Sequence, residues 1–151
     1  MNNEDRGDIV RLTGRELGEG LSFQLLRKAA KQFAQKNFVG KKVTVESNGA
    51  GILVSMGGIK HTLAMAKTWE DILAVIVLPE LLRHSVKVDE EADKHGRKYI
   101  KAIEKYQSPL EIGGKVYMAE MIVTVVNGES RQLDDIRVFY HQKLQGPIKR
   151  S

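Results

Sequence analysis

The sequence predicts an α+β fold, with N-terminal helices and a small hairpin packed on an antiparallel β-sheet meander. Three observations predict it. Apolar residues recur at helical spacing in the N-terminal half, as in LSFQLLRKAAKQFAQKN. In the C-terminal half they alternate with polar residues across long stretches joined by short Gly-marked turns. The order is helices, hairpin, helices, then sheet, which is the segregation of an α+β protein.

Residues 8 to 36 read as helical. Thr13 with Glu16 three positions on has the form of a capping box, and Gly14, Gly18 and Gly20 break the pattern before its best part. From Ser22, a candidate N-cap, Leu21, Leu25, Ala29 and Phe33 form one stripe with Leu26 and Ala30 beside it. KKVTVES and ILVSM are short strands around the turn NGAG, which makes residues 41 to 56 a hairpin. Gly57 and Gly58 then release the chain into a short helix over 59 to 66. Thr68 caps the next helix, whose first turn carries Glu70 and Asp71, as the helix dipole prefers. Pro79 divides that helix or kinks it. SVKVDEE begins the β-rich part, ADKHGRK is a polar loop, and YIKAIEKYQSPLEI is a strand ending in a Pro-marked bend. GGK is a tight turn, VYMAEMIVTVV the strongest strand, NGES a turn, and DIRVFYHQKL the last strand.

The chain has 151 residues, 42% hydrophobic and 28% charged, as in an ordinary globular protein with one core. There are no cysteines, which excludes a disulfide framework and a thiolate metal site. The apolar run ILAVIVLPELL contains Pro79 and Glu80 and is too short to span a bilayer. MNNEDRGDIVR is polar and unlike a signal peptide. The net charge of +5, with a pI near 9.4, favours an anionic partner.

Strand alternation locates that charge. Burying the apolar sets of the three long strands together leaves Tyr99, Lys101, Lys105, Glu120, Thr124, Arg137, Phe139, His141 and Lys143 on the open face. Cations for phosphates and rings for bases are what single-stranded nucleic acid needs; a solvated lysine-rich face has the same pattern. Among the histidines, His84 ends an apolar helix. His95 stands in a loop beside Lys94, Arg97 and Lys98 and reads as an exposed loop histidine within reach of phosphate. His61 follows Gly-Gly-Ile-Lys, where helix-start amides with Lys60 and Thr62 would hold an anion. No His/Asp/Glu spacing suits a metal, and no cofactor is expected.

KNFVGKKVTVE, GGIKHTLA, LPELLRHSVKV, IEKYQSPLEIGGKVYMAEMIVTV and RVFYHQKL occur in an order that resembles the barnase-like nuclease domains of phage polyvalent proteins, within the wider barnase–EndoU–colicin–RelE-like group. The likeness covers residues 37 to 144. It implies a nuclease domain over 37–147 behind an N-terminal helical segment, 1–36. It also implies metal-independent RNA cleavage, often by the toxic C-terminal part of a secreted or injected protein that acts in a target cell and is restrained by an immunity protein. The Gly-Ile-Lys lysine of such domains falls on Lys60, the next position on His61, and the last-strand tyrosine on Tyr140. Relatives often carry a histidine where this chain has Glu104.

Metal-free RNA cleavage uses attack by the 2′-OH on the adjacent phosphate. It needs a base, an acid and cations for the developing charge. The expected proton-transfer pair is His61 and His141, with Lys101 and Arg137 on phosphate, Tyr140 beside them, and Glu120 or Glu104 as reserve base. Lys60, Thr62, Tyr99, Lys105, Phe139 and Lys143 are expected to bind substrate, an RNA with tRNA foremost. An acidic immunity or inhibitor protein is the expected partner, and no membrane is involved. The competing expectations are a non-catalytic RNA- or DNA-binding module and a basic interaction domain for an acidic partner.

Overall fold

The computed structural model describes residues 9–128 and 130–140, and of Tyr140 the backbone alone. Among these are seven strands, β1 (Val10–Leu12), β2 (Lys42–Thr44), β3 (Gly51–Leu53), β4 (Val86–Glu91), β5 (Ile100–Ile112), β6 (Lys115–Val126) and β7 (Arg131–Tyr140). The helices are α1 (Phe23–Asn37), α2 (Met56–Met65), α3 (Trp69–Ile76) and α4 (Leu78–Arg83). The strands form one sheet in the order β1-β5-β6-β7-β3-β2, with β4 also paired to β5. The α+β expectation holds. β5, β6 and β7 are an antiparallel meander. β5 shares its other edge between β4, antiparallel, and β1, parallel.

Several local expectations hold for the reasons that motivated them. Ser22 caps α1 and accepts the Leu25 N–H at 3.2 Å. Thr68 and Asp71 form a reciprocal capping box on α3. Pro79 stands in the first turn of α4, so the apolar run is two successive helices. His84 is the C-cap of α4. Gly113 and Gly114 turn β5 into β6 with φ of 57° and 84°, the left-handed pair that a two-residue hairpin turn requires.

Other expectations are corrected. The helical reading of residues 8 to 36 gives way at Val10–Leu12 to a strand, which lies parallel to Leu110–Ile112. Three residues are too few to show a period, and β1 exists because β5 offers it an edge. The Thr13–Glu16 pattern closes a turn instead: the Glu16 carboxylate accepts N–H bonds from Thr13 and Gly14. The buried stripe of α1 is Leu26, Ala30 and Ala34, whereas Leu21, Leu25 and Phe33 stay exposed. Small alanines let α1 lie close to α3. Arg27 fixes the rotation by donating to the carbonyls of Leu63 and Ala66 at 2.9 and 3.2 Å, at the end of α2. Pro109 makes no bend; β5 runs through it, and Pro109 falls between the stretches paired with β4 and with β1. β7 begins four residues earlier than DIRVFYHQKL suggests.

The core lies between the helices and one sheet face, with Ile52, Ile59, Leu73, Leu78, Leu82, Tyr106, Leu110 and Met121 fully buried. In β7 the register shifts at Asp134, which has no partner on β6: Ile122 opposes Asp135 and Val123 opposes Leu133. Such a bulge changes which face the following side chains take. Arg131 therefore turns toward the helix side and Arg137 toward the open side, although six residues separate them.

Candidate functional site

On the open face, β5 contributes Ile103 and Lys105, β6 Glu120 and Ile122, and β7 Asp134 and Arg137. The β4–β5 loop roofs them to make a groove of about 340 Å³. Asp93 organises that loop. Its carboxylate accepts from the Arg97 backbone at 2.8 Å, from the Arg97 guanidinium twice at 3.0 Å, and from the His95 N–H at 3.4 Å. The Arg97 side-chain bonds hold the Asp93 carboxyl well below the ordinary carboxylate range despite partial desolvation. The loop thereby holds His95 in the groove wall. Glu120 accepts from Gln107 at 3.1 Å, Lys105 pairs with Glu91 at 3.3 Å, and Arg137 with Asp135 at 3.3 Å. The groove combines an imidazole, a carboxylate on the sheet floor, an ammonium and a guanidinium. Its charge is balanced: Glu91, Asp93, Glu120 and Asp134 offset Lys94, Arg97, Lys105 and Arg137. The expected basic face is thus of mixed sign, because the end of β4, the β4–β5 loop and the Asp134 bulge bring Glu91, Asp93 and Asp134 beside it.

A second groove, about 440 Å³, lies between the α2–α3 connection and β7 and shares Arg137 with the first. Met65, Thr68 and Asp71 form one wall; Val138 and Phe139 form the other. Asp135 is buried there, and its carboxylate accepts the Ile136 N–H at 2.9 Å and the Thr62 hydroxyl at 3.4 Å.

On the helix side, Glu104 is only 2% exposed. It accepts from Arg131 Nε at 2.9 Å and Nη2 at 3.2 Å, from the Tyr106 hydroxyl at 2.8 Å, and pairs with Lys87 at 3.2 Å. Lys87 also bonds Glu90, and Asn48 donates to the Tyr106 oxygen at 3.3 Å. Burial pushes the Glu104 carboxyl up, but the bonds from Arg131, Tyr106 and Lys87 outweigh it and lower its pKa. Burial raises the Tyr106 phenol, and the Glu104 charge adds to this. The Lys87 ammonium is raised chiefly by its bond to Glu90.

Residues 21–133 match the family model of large polyvalent protein-associated domain 3. The chain belongs to that family. No curated protein and no solved structure matches it. The likeness to polyvalent-protein domains noted over residues 37 to 144 thus has a family-level counterpart, which begins earlier and takes in α1.

In this polyvalent-protein domain the expected site residues do not all meet. Lys105, Glu120 and Arg137 line one groove, and Phe139 the next. Tyr99 and Lys101 are exposed where β5 begins. Lys60 and His61 are exposed on α2, outside the linings of both grooves, while Thr62 is buried against Asp135. The helix expected over 59 to 66 starts at Met56, where Ser55 caps it and accepts the Gly58 N–H at 3.1 Å. The backbone amides at Lys60 and His61 therefore lie beyond the first turn and are no anion site. Gly58 serves packing, since a Cβ there would lie 2.2 Å from the Leu133 carbonyl oxygen. His141 and Lys143 lie outside the described residues. Two features were not prominent in the sequence, the place of His95 and the pairing of Glu104 with Arg131. His95 carried one signal, its basic neighbours. Glu104 and Arg131 carried none together, because 27 residues and a bulge separate them. Among the described residues, no group of three or more His, Asp or Glu is placed to hold a metal.

Proposed function

We propose that this polyvalent-protein domain is a metal-independent endoribonuclease, a toxin-type domain whose reacting groups line the open-face groove. One observation carries the reading: His95, Glu120, Lys105 and Arg137 converge on one groove from a loop and three strands. Glu120 takes the proton of the 2′-OH as its oxygen bonds phosphorus. Protonated His95 gives a proton to the departing 5′-oxygen as the P–O5′ bond breaks, and Lys105 and Arg137 bear the phosphorane charge. The products are a 2′,3′-cyclic phosphate and a 5′-hydroxyl. His61 has no role in this assignment. A partner that silences the enzyme covers Arg137 and His95.

The test is incubation with purified tRNA and total RNA in EDTA. Cleavage to 2′,3′-cyclic ends is expected, with resistance where the cleaved nucleotide is 2′-deoxy. His95→Gln and Glu120→Gln are each expected to slow cleavage by about 10²–10⁴-fold. Absolute dependence on a divalent ion, or equal cutting of DNA, overturns the mechanism. One observation favours a second reading, a module that binds without cutting: the groove holds as many carboxylates as cations, which gives little net attraction for a polyanion and suits a protein partner of mixed charge. A complex with RNA or protein and no cleavage would establish it.

A further inference from the structure

The second groove shares Arg137 with the first, and its walls differ in kind. Phe139 and Met65 expose 36% and 57% of their surfaces there, an apolar ring and a flexible thioether facing one space. Phe139 lies two residues beyond Arg137 on the same strand face. That is about 7 Å along the strand at the usual rise, comparable to one nucleotide step. β3 pairs only with Arg131 and Gln132, so the outer edge of β7 meets no strand beyond them among the described residues. Its amides are nevertheless taken: Ile136 donates to the Asp135 carboxylate at 2.9 Å and Val138 to the Asp71 carboxylate at 3.1 Å. Satisfied amides make this edge a poor receiver of an added strand. In an antiparallel strand the carbonyl points to the same side as the amide of its own residue. The Ile136 and Val138 carbonyls are therefore directed to the groove side, together with two carboxylates. The groove thus sets an apolar pair, Met65 and Phe139, beside acceptors on the β7 edge, with Lys67 and Arg137 as cations in the same lining.

We propose that this groove is a nucleobase subsite that selects bases bearing an exocyclic amino group. The base stacks on Phe139 with Met65 against its other face, and its amino group donates to the β7 edge carbonyls. Uracil carries no amino group, and its one edge donor, N3–H, stands between two carbonyl oxygens that would face the β7 carbonyls. The placement of the adjoining phosphate at Arg137 rests on the ribonuclease reading; the base selectivity does not.

Calorimetric titration of the full chain with the four nucleoside 3′-monophosphates and with inorganic phosphate tests this. The adenosine, cytidine and guanosine nucleotides are expected to bind about tenfold more tightly than the uridine nucleotide, the scale of one unmatched polar group, and by a further factor over phosphate, which lacks the stack. Phe139→Ala should remove that advantage and leave phosphate binding unchanged, and Met65→Ala, at a more exposed position, should reduce it in a protein with wild-type melting. Equal binding of all four nucleotides, or an unchanged preference in both variants, overturns the subsite. Base-selective binding without RNA cleavage would remove the ribonuclease reading and leave the subsite standing. Cleavage without base selectivity would do the reverse.

Discussion

Glu104 shows how a single residue can bind distant parts of the chain together. A carboxylate 2% exposed would be costly alone, but Arg131, Lys87 and Tyr106 supply charge and hydrogen bonds from β7, β4 and its own strand. Glu104→Gln keeps the shape and removes the charge that faces Arg131 and Lys87. It is expected to cost about 3 kcal/mol in urea unfolding. The pH dependence follows from the lowered pKa. The group's contribution is complete above its unfolded value near 4.5 and is lost as pH falls below that through the folded value. The difference between wild type and Glu104→Gln should therefore narrow from neutral pH to about pH 3, and a constant difference would contradict the assignment. The adjacent glycines of α2 make a sharper pair. Gly58→Ala drives a methyl into the Leu133 carbonyl and should destabilise by about 1–3 kcal/mol. At Gly57 the nearest atom to a new Cβ is 4.0 Å away, so Gly57→Ala should stabilise by roughly 0.5 kcal/mol through helix propensity. Thermal melts of the two variants should move in opposite directions.

At the scale of elements, the start of α3 does more than cap a helix. Thr68 accepts the Asp71 N–H, while Asp71 accepts from Lys67 and Thr68 with one oxygen and from Val138 on β7 with the other. Thr68→Ala removes the ordinary cap and should cost about 1 kcal/mol. Asp71→Ala also leaves the Val138 amide without its acceptor and should cost about 1 kcal/mol more. Equal losses would mean that the link to β7 contributes nothing. The bulge at Asp134 acts over a longer reach. It lets one strand supply Arg131 to the buried cluster and Arg137 to the open groove, which strict alternation forbids.

For the whole molecule, the net charge of +5 is less concentrated on the candidate site than its total implies. Lys105 and Arg137 each stand beside a carboxylate, so an RNA bound in the groove gains few unopposed phosphate contacts. The logarithm of its affinity should fall with the logarithm of salt with a slope of only about −1.5, as for two contacts to a single strand. A slope several times steeper would locate binding on another basic surface. No helix among the described residues is long and apolar enough to cross a membrane.

The sequence by itself determined the fold class, most element boundaries in residues 41 to 126, the caps at Ser22 and Thr68, the division at Pro79 and the facing of Arg137 and Phe139. Each depends on neighbours within a turn or along one strand, where hydrogen-bond geometry and the two- or 3.6-residue period act directly. Tertiary structure alone decided that Val10–Leu12 is a strand, because its partner is about a hundred residues away at Leu110–Ile112. It decided which face of α1 is buried, through Arg27 and the alanines that meet α3. It left His61 outside both grooves and set His95 in the wall of one, because Gly58 seats α2 against β7 while Asp93 organises the β4–β5 loop. It also assembled Glu104 with Arg131 and Lys87, a cluster that depends on three strands and one unpaired residue, and charge pairing across such distances leaves no period in a sequence.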